Sequence, residues 1–269
     1  FMFADYHLHT YYSSDSVYPM EEVVKDAILL GIDELCFTDH CDLTIRLLGY
    51  ADASETKPPF KKYFREINQM QKRYGEQITI KKGLEIGIQY ETIPQYQEIM
   101  REYPMDFVLL SIHRIDNLGY WNRRFQEGKS EAEYYHAYYE AMLKIVKEFH
   151  DYSVLAHLDL IRRYDNHDGY DVMNDREIIT EILKYIIADG KGIEVNMSCI
   201  RYDIGDITPA KSILELYHEL GGRILTIGSD SHKPIHLGAY VEEVKEELRS
   251  IGFKEFCTFE NMKPIFHKL

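Results

Sequence analysis

Short apolar runs alternate with amphipathic segments along the whole chain. Seven runs are rich in β-branched and aromatic residues and have the length of buried strands. In chain order they are MFADYH, ELCFTDH, ITIKKGLEIGI, MDFVLLSIH, YSVLAHLD, GIEVNMS and RILTIGSD. The segments between them carry apolar residues at helical spacing. The pattern therefore predicts about seven strands with helices between them.

Helix boundaries are marked by capping signals. Pro19 begins an amphipathic segment that Gly31 ends. Ser130 followed by Glu133 predicts a capping box in front of a long helix. We interpret the apolar stripes as packing surfaces. Further stripes begin near Ile178, after Thr208-Pro209 and at Val241.

Strands that alternate with helices predict right-handed βαβ units and a parallel sheet. Seven such units without a linker favour closure of the sheet into a barrel. No Pro/Gly/Ser-rich linker, repeat or low-complexity tract divides the 269 residues. We therefore expect an α/β fold and one domain, residues 1–269. Long connections follow several strands, on the face where such a barrel builds its active site.

The composition is that of an ordinary globular protein, with 45% hydrophobic and 28% charged residues. No apolar run approaches the ~18 residues of a membrane span, and the amino terminus lacks the pattern of a signal peptide. We therefore expect a cytoplasmic protein with no membrane partner. The four cysteines are scattered without metal-site spacing, which is typical of reduced thiols in the cytosol.

The formal net charge of -14 bears on the partners of the protein. A strongly acidic surface repels nucleic acid, so we expect no nucleic-acid partner. A small molecule is the expected partner instead. The sequence does not determine the oligomeric state.

Histidines and carboxylates recur where the predicted strands end. His7 and His9 are two residues apart on the first strand, so both imidazoles face the same side. Because the carboxyl ends of parallel strands meet at one face, the later groups are expected to gather around this pair. The other candidates are Asp15, His40, Glu85, His113, His157, Asp230 and His232.

Metal ions offset the cost of placing such groups beside an apolar barrel interior. One ion uses three or four protein ligands in an open catalytic site, so this set predicts two or three ions. The donors are nitrogen and oxygen, which suits Zn, Mn or Fe.

A multinuclear site of this kind makes a hydroxide at neutral pH and clamps an oxyanion, which suits hydrolysis of phosphate esters. Phosphate recognition also needs cations, and arginine provides a planar fork of donors. Arg163 and Arg201 lie nearest in sequence to the predicted ligands, with Arg162 as the alternative.

The ordered motifs HxH, TDH, GLE, SIH, AHLD and GSDSH resemble those of the polymerase and histidinol phosphatase (PHP) family of metallohydrolases. The resemblance covers nearly the whole chain. Within the family it is strongest to members that hydrolyse L-histidinol phosphate in histidine biosynthesis. The segments MDFVLLSIHRID, EGKSEAEYY and AHLDLIRRY carry this second likeness.

The resemblance implies a distorted (β/α)7 TIM-like barrel with three metal ions and the following site. One ion would be held by His7, His9, Glu85 and Asp230, a second by Glu85, His113 and His157, and a third by Asp15, His40 and His232. Some relatives have a histidine where Asp15 stands here. Arg163 and Arg201 would grip the phosphate while a metal-bridging hydroxide attacks phosphorus. Asp230 or His232 would pass a proton to the leaving oxygen.

Three alternatives remain at this point. In the first, the chain is another PHP phosphoesterase, which acts on a different small phosphomonoester or a nucleotide. In the second, it is an amidohydrolase-type C–N hydrolase, although that family usually has a bridging lysine where this chain offers Glu85. In the third, it is a metal-binding module that has lost catalysis, although every expected ligand position holds a competent residue.

Overall fold

Seven parallel strands form the centre of the protein, in the order β1-β2-β3-β4-β7-β8-β9. The computed structural model describes residues 1–199 and 205–269. The strands of these residues are β1 Ala4–Asp5, β2 Glu34–Cys41, β3 Thr79–Gly87, β4 Phe107–Ser111, β5 Arg114–Ile115, β6 Leu118–Gly119, β7 Val154–Leu155, β8 Gly192–Asn196, β9 Leu225–Gly228, β10 Glu255–Glu260 and β11 Lys263–Lys268. Each predicted run matches one strand of the central sheet, and only β2 extends beyond its run, by one residue to Cys41.

The two edges of this sheet meet, so the strands form a nearly closed barrel. The backbone N–H of Tyr6 donates to the carbonyl of Ile227 over 3.0 Å, and that of His9 donates to Ser231 over 2.8 Å. Leu8 and Ser231 form a parallel bridge between the same segments. Closure of this kind pairs the edge groups that an open sheet would leave exposed. The predicted (β/α)7 barrel is confirmed.

Helices follow the strands and cover the outside of the barrel. They are α1 Met20–Leu29, α2 Phe60–Tyr74, α3 Ile93–Glu102, α4 Glu131–Glu148, α5 Arg176–Ala188, α6 Lys211–Glu219 and α7 Val241–Ile251. The capping box in front of α4 is confirmed, since the Ser130 hydroxyl accepts from the Glu133 N–H and the Glu133 carboxylate accepts from the Ser130 N–H. No helix in the described part of the chain is both long and apolar enough to cross a membrane.

An antiparallel hairpin of β10 and β11 follows the last helix. The sequence pattern did not predict it. Its Phe259 ring packs against Phe107 of β4 with ring centroids 5.0 Å apart, and its backbone N–H bonds to the hydroxyl of Tyr6. The hairpin thus closes the amino end of the barrel and leaves the carboxyl end open.

Candidate metal centre

All nine predicted metal ligands lie at the carboxyl end of the barrel or beside it. His40 and Glu85 belong to β2 and β3, Asp15 lies in the segment between β1 and α1, and the others follow the end of a strand by two to four residues. Side chains from separate strands meet here because parallel strands point the same way. Five of the nine are buried, three are partly buried and one is exposed. The buried ones are His7, His9, Glu85, His157 and Asp230, the partly buried ones are His40, His113 and His232, and the exposed one is Asp15.

The first cluster consists of His7, His9, Glu85 and Asp230. Oε1 of Glu85 lies 2.9 Å from Nε2 of His7 and 3.2 Å from Nε2 of His9. Oδ1 of Asp230 lies 3.3 and 3.2 Å from the same two nitrogens. One ligand atom from each residue falls within 4.8 Å of the others, so this cluster has the size of a single-ion site.

The second cluster uses the other oxygen of Glu85. Oε2 lies 3.0 Å from Nε2 of His113 and 3.0 Å from Nε2 of His157. The Ser111 hydroxyl donates to the same oxygen over 2.7 Å. Since Oε1 faces the first cluster, Glu85 stands between two groups of ligands, as a bridging carboxylate does.

The third group lies at the mouth of the barrel. Oδ2 of Asp15 lies 3.1 Å from Nε2 of His232 and 3.4 Å from Nε2 of His40. The His9 ring is stacked between those of His40 and His232, with centroids 4.2 and 4.1 Å away. One nitrogen from each of these three histidines falls within 4.8 Å of the others. This group is more accessible than the other two, because the Asp15 side chain is 56% exposed.

Partners on Nδ1 orient four of the histidines. A neutral ring whose Nδ1–H is hydrogen-bonded carries its lone pair on Nε2, the arrangement that metal-binding histidines adopt. The pairs are His7 with Glu194, His9 with Ser13 at 3.1 Å, His113 with Asp42 at 2.6 Å and His232 with the main-chain carbonyl of Asp230 at 2.9 Å. In each case Nε2 is the atom that faces a cluster.

The electrostatics of the site follow from these contacts. Burial raises the pKa of the Glu85 carboxyl, but the neighbouring His7, His40 and His113 outweigh burial and hold that pKa well below its usual range. Burial lowers the pKa of His113, but the carboxylates of Asp42 and Glu85 raise it to about 10. The ion-free protein therefore holds ionised carboxylates against protonated imidazoles.

The site fits divalent metal ions. Among the described residues, four buried ring nitrogens of the clusters have no hydrogen-bond partner, and the first, second and fourth of them lie within 3.4 Å of a carboxylate oxygen. They are Nε2 of His9, Nδ1 of His40, Nδ1 of His157 and Nε2 of His232. Buried polar atoms left unpaired cost free energy that coordination to an ion removes. The donors are imidazole nitrogen and carboxylate oxygen, the set that zinc, manganese and iron accept.

A cavity of about 780 Å³ opens above the clusters. Arg163 and the half-exposed Trp121 are part of its wall. An Nη2 of Arg163 donates to the hydroxyl of Ser198 over 2.5 Å. A cationic side chain thus faces the cavity close to the clusters.

The other two predicted arginines are Arg162 and Arg201. Arg162 is not part of the cavity wall. Its guanidinium lies 3.3 Å from Asp159 and 3.1 Å from Asp206, and donates to the carbonyl of Ile207 over 2.8 Å. These contacts hold Arg162 in a structural network. Arg201 lies outside the described residues.

Sequence reasoning missed the groups that orient the ligands. Glu194 is fully buried on β8 and Asp42 follows β2 by one residue. A signal existed for both: Glu194 and Asn196 interrupt the apolar run GIEVN at alternate positions, and Asp42 repeats the two-residue spacing after His40. Neither pattern by itself distinguishes an orienting carboxylate from a metal ligand.

The chain is similar to known proteins both in sequence and in fold. The profile of the PHP domain family matches residues 5–198. A histidinol-phosphatase of Lactococcus lactis subsp. lactis is 30% identical over 262 residues, which cover 96% of this chain and 95% of that protein. A probable histidinol-phosphatase of Clostridium acetobutylicum is 32% identical over 272 positions, covering 98% and 96%. The crystal structure of histidinol phosphate phosphatase from Lactococcus lactis, complexed with zinc, L-histidinol and phosphate, matches with a TM-score of 0.86 at 29% identity and covers 97% of this chain and 98% of that one.

Proposed function

This chain belongs to the PHP domain family, and from that premise we propose that it is a metal-dependent phosphomonoesterase that hydrolyses L-histidinol phosphate to L-histidinol and phosphate. The observation that carries the proposal is the position of Glu85 between two clusters of buried histidines, below a cavity with Arg163 in its wall. The nearly full-length likeness to histidinol-phosphatases supports the choice of substrate.

Two or three divalent ions are the cofactors in this proposal. The first would be held by His7, His9, Glu85 and Asp230, the second by Glu85, His113 and His157, and the third by Asp15, His40 and His232. Bound ions would supply Lewis acidity, which activates water at neutral pH and offsets the charge of a phosphoryl group. In four of the six ligand histidines, the partner on Nδ1 fixes the direction of Nε2 before any ion arrives.

Arg163 is our candidate for binding the phosphate. Its guanidinium is held by Ser198 within the cavity wall, so its planar fork needs little ordering when an anion enters. Arg201 is the second candidate by position in the sequence. Arg162, engaged by Asp159 and Asp206, would act on the substrate indirectly by holding the wall in place.

Asp230 and His232 are our candidates for moving protons. Burial raises the pKa of the Asp230 carboxyl, but His7 and His9 outweigh burial and hold that pKa well below its usual range. An ionised Asp230 can accept a proton from the attacking water and return it to the leaving oxygen. His232 is the alternative donor, because Asp15 and Asp230 raise its pKa against the effect of burial.

The substrate is tested by comparing phosphomonoesters on protein of measured metal content. We expect kcat/KM for L-histidinol phosphate to exceed that for a sugar phosphate, a nucleoside monophosphate and phosphoserine by about 100-fold or more, because a site built for one leaving group leaves its polar groups unpaired with another. A higher kcat/KM for a nucleotide or a sugar phosphate would instead favour the alternative, a PHP enzyme that acts on another phosphoester. No turnover of any of them would favour a binding module.

The cytoplasmic location and the absence of a nucleic-acid partner stay predictions.

Replacing Arg163 by alanine is expected to lower kcat/KM by about 100-fold, because two charge-assisted hydrogen bonds to phosphate are lost. Arg124→Ala is the matched control, since Arg124 is an exposed arginine outside the cavity wall. Its kcat/KM is expected to stay within about two-fold of the unmodified protein, as for most surface substitutions. Equal losses in both variants would contradict the assignment of Arg163.

A further inference from the structure

Three buried polar residues alternate along β8 and the turn that follows it. Glu194, Asn196 and Ser198 are each fully buried. Glu194 and Asn196 face the same side as alternate residues of β8, and Ser198 lies in the 3-10 turn Met197–Cys199 that follows. This side is the interior of the barrel. We call the three residues the β8 row. They are neither candidate metal ligands nor part of the cavity wall.

The first residue of the row joins the two inner clusters. The Glu194 carboxylate accepts a hydrogen bond from Nδ1 of His7, a ligand of the first cluster. Its Oε1 accepts from the main-chain N–H of His157, a ligand of the second, over 2.9 Å. A β-carbon at Gly228 on the adjacent strand would lie 2.8 Å from Oε2 of Glu194 and overlap the Cβ of His7. The space for this pair therefore depends on a glycine.

The second and third residues extend the same network to the cavity wall. Nδ2 of Asn196 lies 3.1 Å from Oε1 of Glu194 and 3.2 Å from Oδ2 of Asp230. Its Oδ1 accepts from the N–H of Ser198 over 2.9 Å and also from the Ser198 hydroxyl. That hydroxyl oxygen accepts from Arg163. A continuous path of hydrogen bonds thus runs from metal ligands of both clusters to the guanidinium.

We propose that the β8 row is a positioning device that fixes the metal ligands and the phosphate-binding Arg163 in one frame. The part concerning Arg163 rests on the proposed function. A carboxylate on the second nitrogen of a ligating histidine fixes the ring and raises its basicity. A displacement of about 1 Å between groups that act together costs about 100-fold in rate. A rigid, fully buried connection between the two halves of the site removes that freedom.

The effect of the β8 row on the metal ligands is tested by titrating zinc into the ion-free protein and following binding by calorimetry. Glu194→Gln is expected to weaken zinc binding by about 10- to 100-fold, the usual effect of losing such a partner. Thr226→Val is the matched control: Thr226 lies opposite Glu194 on β9, is equally buried, and its hydroxyl has no hydrogen-bond partner among the described residues. Its zinc affinity is expected to stay within about two-fold.

Wild-type zinc affinity in folded Glu194→Gln would overturn the proposal. Should that variant fail to fold, Glu194→Asp decides, since it keeps the charge but shortens the side chain: weaker zinc binding than in Thr226→Val supports the proposal, and equal binding overturns it. Because this titration contains no substrate, its result is independent of which phosphomonoester the protein hydrolyses.

The phosphate half is tested with Ser198→Ala and inorganic phosphate. We expect zinc affinity to be unchanged, because Ser198 contacts no candidate ligand in the described structure. The dissociation constant of phosphate from the zinc-loaded protein is expected to rise about five-fold, because Arg163 loses a hydrogen bond that orients it. An unchanged dissociation constant would overturn the link to Arg163. A general loss of structure would instead weaken zinc and phosphate together, which also counts against the proposal.

Discussion

Replacing Glu85 by glutamine is expected to lower kcat by about 1000-fold or more, the upper range for removing one charged or donor group from a preorganised site. Among the described residues, nitrogens of five histidines lie within 3.4 Å of this carboxylate. An amide has one acceptor oxygen and no charge, so it cannot serve both clusters. Its NH2 group would also face ring nitrogens or cations. Both inner sites are therefore lost by one substitution.

The measurement is steady-state turnover of L-histidinol phosphate together with the metal content of the purified variant. Glu34→Gln is the matched control, because Glu34 is also a buried strand glutamate but lies at the opposite end of the barrel, hydrogen-bonded to the Tyr6 hydroxyl. Its activity is expected to stay within about three-fold of the unmodified protein. A Glu85→Gln protein that binds its ions and turns over normally would remove the central premise of the proposed mechanism.

Asp230→Asn separates the two inner clusters. Asp230 contacts His7 and His9 but not the histidines of the second cluster. The variant is therefore expected to keep the ion of the second cluster while losing most of its activity. If it stays folded and fully metal-loaded with near-normal turnover, Asp230 neither holds an essential ion nor moves the proton.

The strands and the meeting of the ligands could be predicted from the sequence for one physical reason. In a parallel barrel the end of every strand opens on the same face, so a residue type that recurs at strand ends must converge in space. His7 and His157 are 150 positions apart in the sequence, yet both contact Glu85, one at each carboxylate oxygen. No contact information was needed for that inference.

The directions of side chains beyond the strands were not predictable in the same way. Arg162 and Arg163 are neighbours in a short 3-10 helix, Leu160–Tyr164, and successive residues of such a helix point about 120° apart. Sequence proximity to His157 does not show which of the two faces the cavity. Arg162 is held by Asp206, 44 positions away in the sequence, and Arg163 is the one in the cavity wall. The terminal hairpin was also not predicted; in the described part of the chain its two strands form a separate antiparallel sheet, outside the alternation of parallel strands and helices.

The orienting carboxylates show a further limit of sequence reasoning. Glu194 and Asp42 contact His7 and His113, which follow the ends of other strands, β1 and β4. The pairing depends on barrel closure and strand register, which bring β8 beside β9 and β9 beside the segment after β1. A residue's role as ligand or as orienting partner therefore follows from three-dimensional position, not from residue type.

Removing the metal ions is expected to abolish turnover and to lower the thermal midpoint. An ion at about 1000 times its dissociation constant stabilises the folded state by about 4 kcal/mol. For a chain of this size that corresponds to a fall of about 10 °C in Tm when one such site is emptied. The barrel itself is expected to persist, because the ionised carboxylates and protonated imidazoles of the ion-free site partly neutralise one another.

Zinc binding to the ion-free protein is expected to release protons, and the zinc affinity is expected to fall as the pH falls. Carboxylates of Asp42 and Glu85 raise the pKa of His113 to about 10 against the effect of burial, so this ring is protonated in the ion-free protein at pH 7.5 and must lose its proton to bind a metal. Protons compete with zinc below that pKa, so the apparent affinity should fall about tenfold per pH unit for each proton displaced. Calorimetry of ion-free protein in two buffers of different ionisation enthalpy counts the protons, and Asp42→Asn, which removes one of the two carboxylates, should reduce the count. Zinc binding that releases no protons at pH 7.5 would show that His113 is neutral before the ion arrives and would contradict this account of the second cluster.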